Sequence, residues 1–204
     1  MQKKINVDPL IKPKYEDLIE QPVVIRVRRF SESSCADFSD QMNKAINSGQ
    51  PFIPIVIDSY GGQVYSLLEM MSKIQNCGLP CHTVVESKAM SCGAILFAMG
   101  KRRFMSPNAT IMLHEVSSSS FGKIEEIKAD AKETDRLNNM LFRMMAKNCG
   151  KKFDFFLKLV HSRNHADCYM GADEAKKLGI CTDIGIPRMS IDISVSYNLE
   201  LKNQ

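Results

Sequence analysis

The sequence predicts a single α/β domain built from βαβ units. Strand-like and helix-like segments alternate at intervals of roughly 30 residues, the length of a strand, its crossover helix and their connections. One of these segments, PFIPIVID (51–58), is a short continuous apolar run, which is typical of a strand covered by helices on both faces. The chain has 204 residues, 44% of them hydrophobic and 25% charged, and this is enough to bury one core of ordinary size.

Hydrophobic periodicity and turn residues place the elements in order. Alternating or β-branched segments predict strands, and apolar residues that recur every three or four positions predict helices. The predicted strands are 22–28, 51–58, 81–87, 110–116 and 190–201, and the predicted helices are 34–49, 64–78, the segment after Ser91, 122–149, 153–161 and 172–178. Gly61 and Gly62 form a tight turn between the second strand and the second helix.

These elements divide the chain into three regions. Residues 1–21 are polar and contain several prolines, so we expect an N-terminal arm that is poorly ordered alone. Residues 22–189 form the α/β domain, and residues 190–204 form a C-terminal strand and tail.

Composition excludes several classes of function. The net charge is +4 and the basic residues are scattered, without the basic, aromatic stripe of a nucleic-acid surface. No apolar stretch approaches the ~18 residues that a membrane span needs, and the N-terminus has no secretory apolar region. Seven cysteines form no regular framework, and the Cys77–Cys81 pair lacks a second pair at zinc-finger spacing. We therefore expect reduced thiols in the cytoplasm, no cofactor and no metal.

The segment ESKAMSCGAILFAMG (86–100) places a lone hydroxyl, that of Ser91, where a buried helix begins. Serine is a favoured helix N-cap because its oxygen accepts a backbone N–H, and this is the ordinary interpretation. The alternative is a nucleophile presented at a helix N-terminus.

A nucleophilic serine needs a base, a group that orients the base, and N–H donors for the oxyanion. His114 ends a buried strand, where a side chain can enter a cleft, and Asp167 lies in the loop before a helix. Gly61 and Gly62 leave backbone N–H groups uncovered by a Cβ, and the Cys92 N–H lies in the first turn of the following helix. Each also has an ordinary interpretation, as a core histidine, a turn aspartate or a common strand-to-helix turn.

Four motifs in order resemble those of the Clp protease proteolytic subunit (ClpP) family, over roughly residues 22–187. They are IDSYGGQV, KAMSCGAILFAMG, RRFMSPNATIMLHEV and DCYMGADEAKKLGICTDIG. By this resemblance Ser91 is the nucleophile, His114 the general base and Asp167 the orienting acid. The N–H groups of Gly62 and Cys92 match the oxyanion hole.

The resemblance also implies an architecture and partners. The fold would be the ClpP/crotonase-like spiral of βαβ units, with residues 117–149 forming a protruding strand and helix, called the handle below. Members of the family are serine endopeptidases that cleave polypeptides inside a chamber. They form heptameric rings that stack in pairs into tetradecamers and bind a hexameric AAA+ unfoldase of the Clp type. A homo-oligomer is therefore expected here.

The sequence departs from the family pattern at several positions. Tyr60 stands where the family has proline in the glycine turn, and Glu115 follows the histidine where the family has glutamine. The handle strand reads SSSSFGK instead of being glycine-rich, and Ala166 replaces an arginine that many members carry before the aspartate. These are the features of a divergent member, compatible with a phage or a plastid-like lineage.

Three other functions remain open at this point. A Ser-Lys peptidase would use Lys88 as its base, and a crotonase-type enzyme would bind acyl-CoA on the same fold. A non-catalytic subunit of a ClpP-like ring would need no triad. The remaining histidines, 82, 161 and 165, lie at a strand start or in polar segments and are poorer candidates for the base.

Overall fold

The computed structural model describes residues 22–189 of the chain. The predicted arm (1–21) and the predicted strand at 190–201 lie outside the described residues. Within them, the strands are β1 (Ile25–Val27), β2 (Ile53–Ser59), β3 (Cys81–Met90), β4 (Arg103–Met105), β5 (Thr110–Leu113), β6 (Cys168–Met170) and β7 (Asp183–Ile184). The helices are α1 (Glu32–Asn47), α2 (Val64–Asn76), α3 (Cys92–Ala98), α4 (Ile124–Asn148), α5 (Phe155–Ser162) and α6 (Ala172–Lys177).

Strand β3 is the centre of one mostly parallel sheet. The sheet runs β1-β2-β3-β4-β7, and β5 and β6 extend from β3 as a branch. All pairs are parallel except β5 with β6. β2 occupies one edge of β3, while residues 83–85 pair with β4 and residues 88–90 pair with β5. The ten-residue length of β3 thus lets its carboxyl end join a second group of strands.

The α/β fold class predicted from the sequence is confirmed, and the predicted helices are all present. The first predicted helix begins at Glu32 because Ser31 is its cap: the Ser31 hydroxyl accepts the Ser34 N–H. β4, β6 and β7 were not predicted, since two or three residues are too few to show periodicity. The predicted strand in the serine run was wrong for the single chain, because residues 117–120 have no strand partner among residues 22–189.

Helix α3 is the most deeply enclosed element of the fold. All seven of its residues are buried, as expected for a helix that is apolar or small on every side. It packs against α2, α4 and the strands β2, β3 and β5. The start of α3 is therefore held firmly by the core, and so is Ser91, the residue before it.

Helix α4 is half embedded and half projecting. Its buried residues begin at Leu137, whereas residues 121–132 are all exposed. Phe121 and Ile124 lie on the projecting part and are largely uncovered. The helical part of the expected handle thus protrudes from the domain. None of the helices between residues 22 and 189 is both long and apolar enough to cross a membrane.

The basic run Lys101-Arg102-Arg103 has a structural role at its last residue. The Arg103 guanidinium is buried and donates to the carbonyl oxygens of Gly100 (2.9 Å), Ile180 (2.8 Å) and Gly179 (3.1 Å). These carbonyls follow the ends of α3 and α6, where a cation is favoured by the helix dipole. Arg103, the first residue of β4, therefore connects the segments that follow α3 and α6.

We expect Arg103→Met to lower the free energy of unfolding by at least about 3 kcal/mol, because each hydrogen bond to a charged group contributes about 1.5–3 kcal/mol. Urea unfolding followed by circular dichroism measures this loss. Arg102→Met is the matched control: Arg102 forms an exposed ion pair with Asp183 (2.9 Å), so its loss should leave the midpoint almost unchanged. Equal effects of the two substitutions would contradict the role assigned to Arg103.

Candidate active site

Ser91 occupies a strained turn between β3 and α3. Its backbone dihedral angles are φ 54° and ψ −122°, a conformation that residues with a Cβ rarely adopt. Ser91 stands at the N-cap position of α3, but its side chain makes no capping hydrogen bond, so the interpretation of its hydroxyl as a helix cap is wrong. A sharp strand-to-helix turn of this kind places a serine hydroxyl at the end of a sheet, clear of the helix.

The surroundings hold this conformation in place. The Ser91 N–H donates to the Met112 carbonyl (2.9 Å) and so extends the pairing of β3 with β5. The Ser91 carbonyl accepts the N–H groups of Ala94 (3.0 Å) and Ile95 (3.3 Å), the first turn of the buried α3. Backbone strain at one residue persists only where neighbouring structure determines it in this way.

Strand register brings the three predicted catalytic residues together. Met90 pairs with Met112, so Ser91 comes beside the end of β5. Leu113 pairs with Cys168 in the antiparallel β5–β6 ladder, and one further step of the same register sets His114 opposite Asp167. Each residue thus stands one position beyond the end of its ladder.

Their side chains are close to the surface and are not joined by hydrogen bonds to one another. His114 is half-buried, and Asp167 is exposed, with one carboxylate oxygen accepting from the Tyr169 hydroxyl at 3.4 Å. Catalytic hydrogen bonds are often long in ligand-free enzymes and tighten when substrate binds. The triad roles of Ser91, His114 and Asp167 therefore stay predictions.

The glycine turn packs directly against Ser91. A Cβ added to Gly61 would lie 2.8 Å from the Ser91 Cβ, and one added to Gly62 would lie 2.4 Å from the Phe30 carbonyl oxygen. Both glycines have positive φ, 110° and 148°, and the Gly61 N–H donates to Ser59 Oγ (3.0 Å). Only residues without a side chain fit at these two positions.

Cys92 connects this turn to the start of α3. Its thiol donates to the Gly62 carbonyl at 3.2 Å. Burial raises the pKa of the Cys92 thiol, which favours the neutral donor form. Gly62 and Cys92, the two residues predicted to supply the oxyanion donors, are therefore held against each other.

The Ser-Lys alternative is not supported by the surroundings of Lys88. The Lys88 ammonium donates to the Asp58 carboxylate (2.8 Å) and lies 4.5 Å from the centre of the Tyr60 ring. The hydrogen bond to Asp58 raises the pKa of Lys88, whereas a lysine base needs a lowered pKa. Lys88 instead stabilises the strand end before the glycine turn.

Two histidines that the sequence ranked low lie beside the triad positions. His161 and His165 both contact the Glu115 carboxylate, and the hydrogen bond from His165 holds the pKa of Glu115 below its usual range. The four-residue spacing of His161 and His165 is a weak sequence signal for this cluster, but Glu115 follows β5 and nothing in the sequence places it beside them.

Comparison with known families gives one finding. The model of the family described as Clp protease matches residues 11–188 of the chain. The match spans every strand and helix described above.

The strain at Ser91 gives a test that does not depend on activity. We expect Ser91→Gly to exceed Ser91→Ala in free energy of unfolding by about 1 kcal/mol, because glycine adopts this conformation freely and strain of this kind costs about 1–3 kcal/mol, partly offset by the flexibility of glycine when unfolded. Both variants lack the hydroxyl, so urea unfolding of the pair isolates the backbone. A more stable alanine variant would show that the turn is not strained.

Proposed function

The chain belongs to the Clp protease family, and on this premise we propose that it is a serine endopeptidase that cleaves unfolded polypeptides and short peptides. The observation that supports this most strongly is the convergence of three strand ends. Ser91 at the strained end of β3, His114 after β5 and Asp167 before β6 are aligned by backbone register. A serine, a histidine and an aspartate in that relation are the groups that acyl transfer requires.

The proposed reaction begins with proton transfer from Ser91 to His114. As the proton leaves, the Ser91 oxygen attacks the carbonyl carbon of the scissile peptide and forms a tetrahedral intermediate. Asp167 keeps the imidazole oriented and stabilises its charged form. His114 then protonates the leaving amine, and water releases the acyl group by the same steps with His114 again as base.

The oxyanion of the intermediate would be bound by the N–H groups of Gly62 and Cys92. Among the turns, loops and caps of residues 22–189, neither N–H donates to a backbone carbonyl, which supports their assignment as donors to a substrate oxygen. The Cys92 N–H also lies at the N-terminal end of α3, where the helix dipole favours negative charge. Such preorganised donors commonly stabilise the transition state by about 3–4 kcal/mol each.

Labelling with a fluorophosphonate probe tests the nucleophile directly. We expect one covalent adduct per chain, located on Ser91 by mass spectrometry of peptides, because the probe reacts only with an activated serine. Labelling should be abolished in Ser91→Ala and reduced at least about 100-fold in His114→Ala, since loss of the general base removes the activation.

Ser87→Ala provides the matched control, since Ser87 is an exposed serine on the same strand. That variant should be labelled at the rate of the unchanged protein. A folded protein that takes no label, or takes it at another serine, would reject the peptidase and favour a non-catalytic ring subunit.

We propose further that the chain forms heptameric rings that stack in pairs and can bind a Clp-type AAA+ unfoldase. The projecting handle supports the stacking, because Phe121, Ile124 and Ile127 are exposed there in a single chain. Apolar side chains grouped on a projection mark a surface that another protein covers. A cytoplasmic location is part of the proposal and is supported by the odd number of cysteines.

Native mass spectrometry measures the assembly. We expect masses of seven and fourteen chains, and Ile124→Ser should shift the population from fourteen to seven because it weakens the apolar contact of the handles. Phe153→Ser is the control, since Phe153 is equally exposed but lies outside the handle. A monomeric protein at all concentrations would contradict the ring.

A further inference from the structure

A second group of side chains lies next to the triad positions. The Nε2 atom of His161 is 3.2 Å from one oxygen of Glu115, and Nδ1 of His165 is 2.6 Å from the other. One donor atom from each of the three residues lies within 4.8 Å of the other two. Two imidazoles and one carboxylate thus converge on a small volume at the surface.

The two histidines come from a helix end and the turn that follows it. His161 lies in the last turn of α5, and His165 lies four residues later with φ 56°. The His165 N–H donates to the Val160 carbonyl (3.3 Å), which fixes the turn. The rings consequently lie side by side, with centroids 4.2 Å apart.

Glu115 is also held by a residue of α4. The amide of the buried Asn138 accepts the Val116 N–H (3.1 Å) and donates to Glu115 (3.4 Å). Carboxylates that bind metals are commonly oriented by an outer hydrogen bond of this type.

The nearest cation on the same turn does not enter the cluster. Arg163 instead pairs with Glu174 on α6, at 2.5 Å.

The donor set suits one class of ligand. Two neutral imidazoles and a carboxylate bind Zn²⁺ in proteins, with bonds of about 2.0–2.2 Å and a fourth position for water. A tetrahedral site of that size has donor atoms about 3.3 Å apart, which small side-chain movements reach from the 3.2 Å and 2.6 Å separations found here. The three side chains are about one-third to three-fifths exposed, so an ion can enter and the fourth position faces solvent.

We propose that Glu115, His161 and His165 form a binding site for Zn²⁺ that connects the end of β5 to the turn before β6. The sequence analysis predicted no metal because Glu115 lies 46 residues before His161, so only the spacing of His161 and His165 gives a local signal. The site does not rest on the proposed peptidase activity. Its bound ion would nevertheless join the segment that carries His114 to the segment that carries Asp167.

Titration of the chelator-treated protein with Co²⁺ and then Zn²⁺ tests the site. We expect one Co²⁺ per chain, with the visible absorption of a four-coordinate nitrogen and oxygen site, and displacement of Co²⁺ by Zn²⁺. Affinity should fall at least about 100-fold in His161→Ala and in His165→Ala, since each loses one of only three protein ligands. Zn²⁺ should raise the Tm of the unchanged protein and of neither variant.

His82→Asn is the matched control, because it removes a histidine far from the cluster and should keep the full affinity and the Tm shift. The Cys77–Cys81 pair, whose sulfur atoms are 3.6 Å apart, is the competing site for a soft ion. Thiolate-to-cobalt charge-transfer bands would assign the ion to those cysteines and overturn the proposal. Failure to bind Co²⁺, or binding unchanged in both histidine variants, would overturn it as well.

Discussion

The fold and the site both depend on the abrupt turn from β3 into α3. β3 must remain extended to Met90 in order to pair with β5, while α3 must begin at Cys92 in order to stay inside the core. One residue, Ser91, makes the change from strand to helix between them, and it does so at positive φ. The favourable burial of seven helical residues exceeds the few kcal/mol that one strained residue costs.

The glycine turn after β2 is shaped by the same turn at Ser91, because the two pack directly against each other. The chain that leaves β2 comes so close to Ser91 that a Cβ on Gly61 would collide with the Ser91 Cβ. A Cβ on Gly62, the next residue, would collide with the Phe30 carbonyl oxygen. The Cys92 thiol then joins this turn to α3. The Ser59 hydroxyl, which accepts the Gly61 N–H, and the Cys92 thiol thereby hold the glycine turn beside the start of α3.

The sequence predicted the fold class and most of the helices and strands, but not the contacts between segments that are distant along the chain. Long apolar or periodic stretches such as 51–58 and 122–149 indicate their structure locally, whereas the triad positions were predicted from the resemblance to the ClpP motifs. The burial of Arg103 and the meeting of Glu115 with His165 depend on three-dimensional packing over 50 residues or more, so no local pattern carries them. The handle strand at the serine run was implied by the resemblance alone, and a strand needs a partner that the chain's described part does not supply.

Two groups of side chains meet at the end of β5: the triad positions and the cluster of Glu115, His161 and His165. Their contacts indicate which part of the site is held firmly and which is held weakly. Ser91 and the glycine turn are locked by the core, but Asp167 is exposed and follows a turn held by polar contacts of His165 and Arg163. Exposed ion pairs contribute little to stability, so the position of the acid is set more weakly than that of the nucleophile. Glu115 directly follows His114 after the end of β5, and it contacts both His161 and His165. Any ligand that strengthens the Glu115 contacts therefore acts on the least fixed member of the proposed triad.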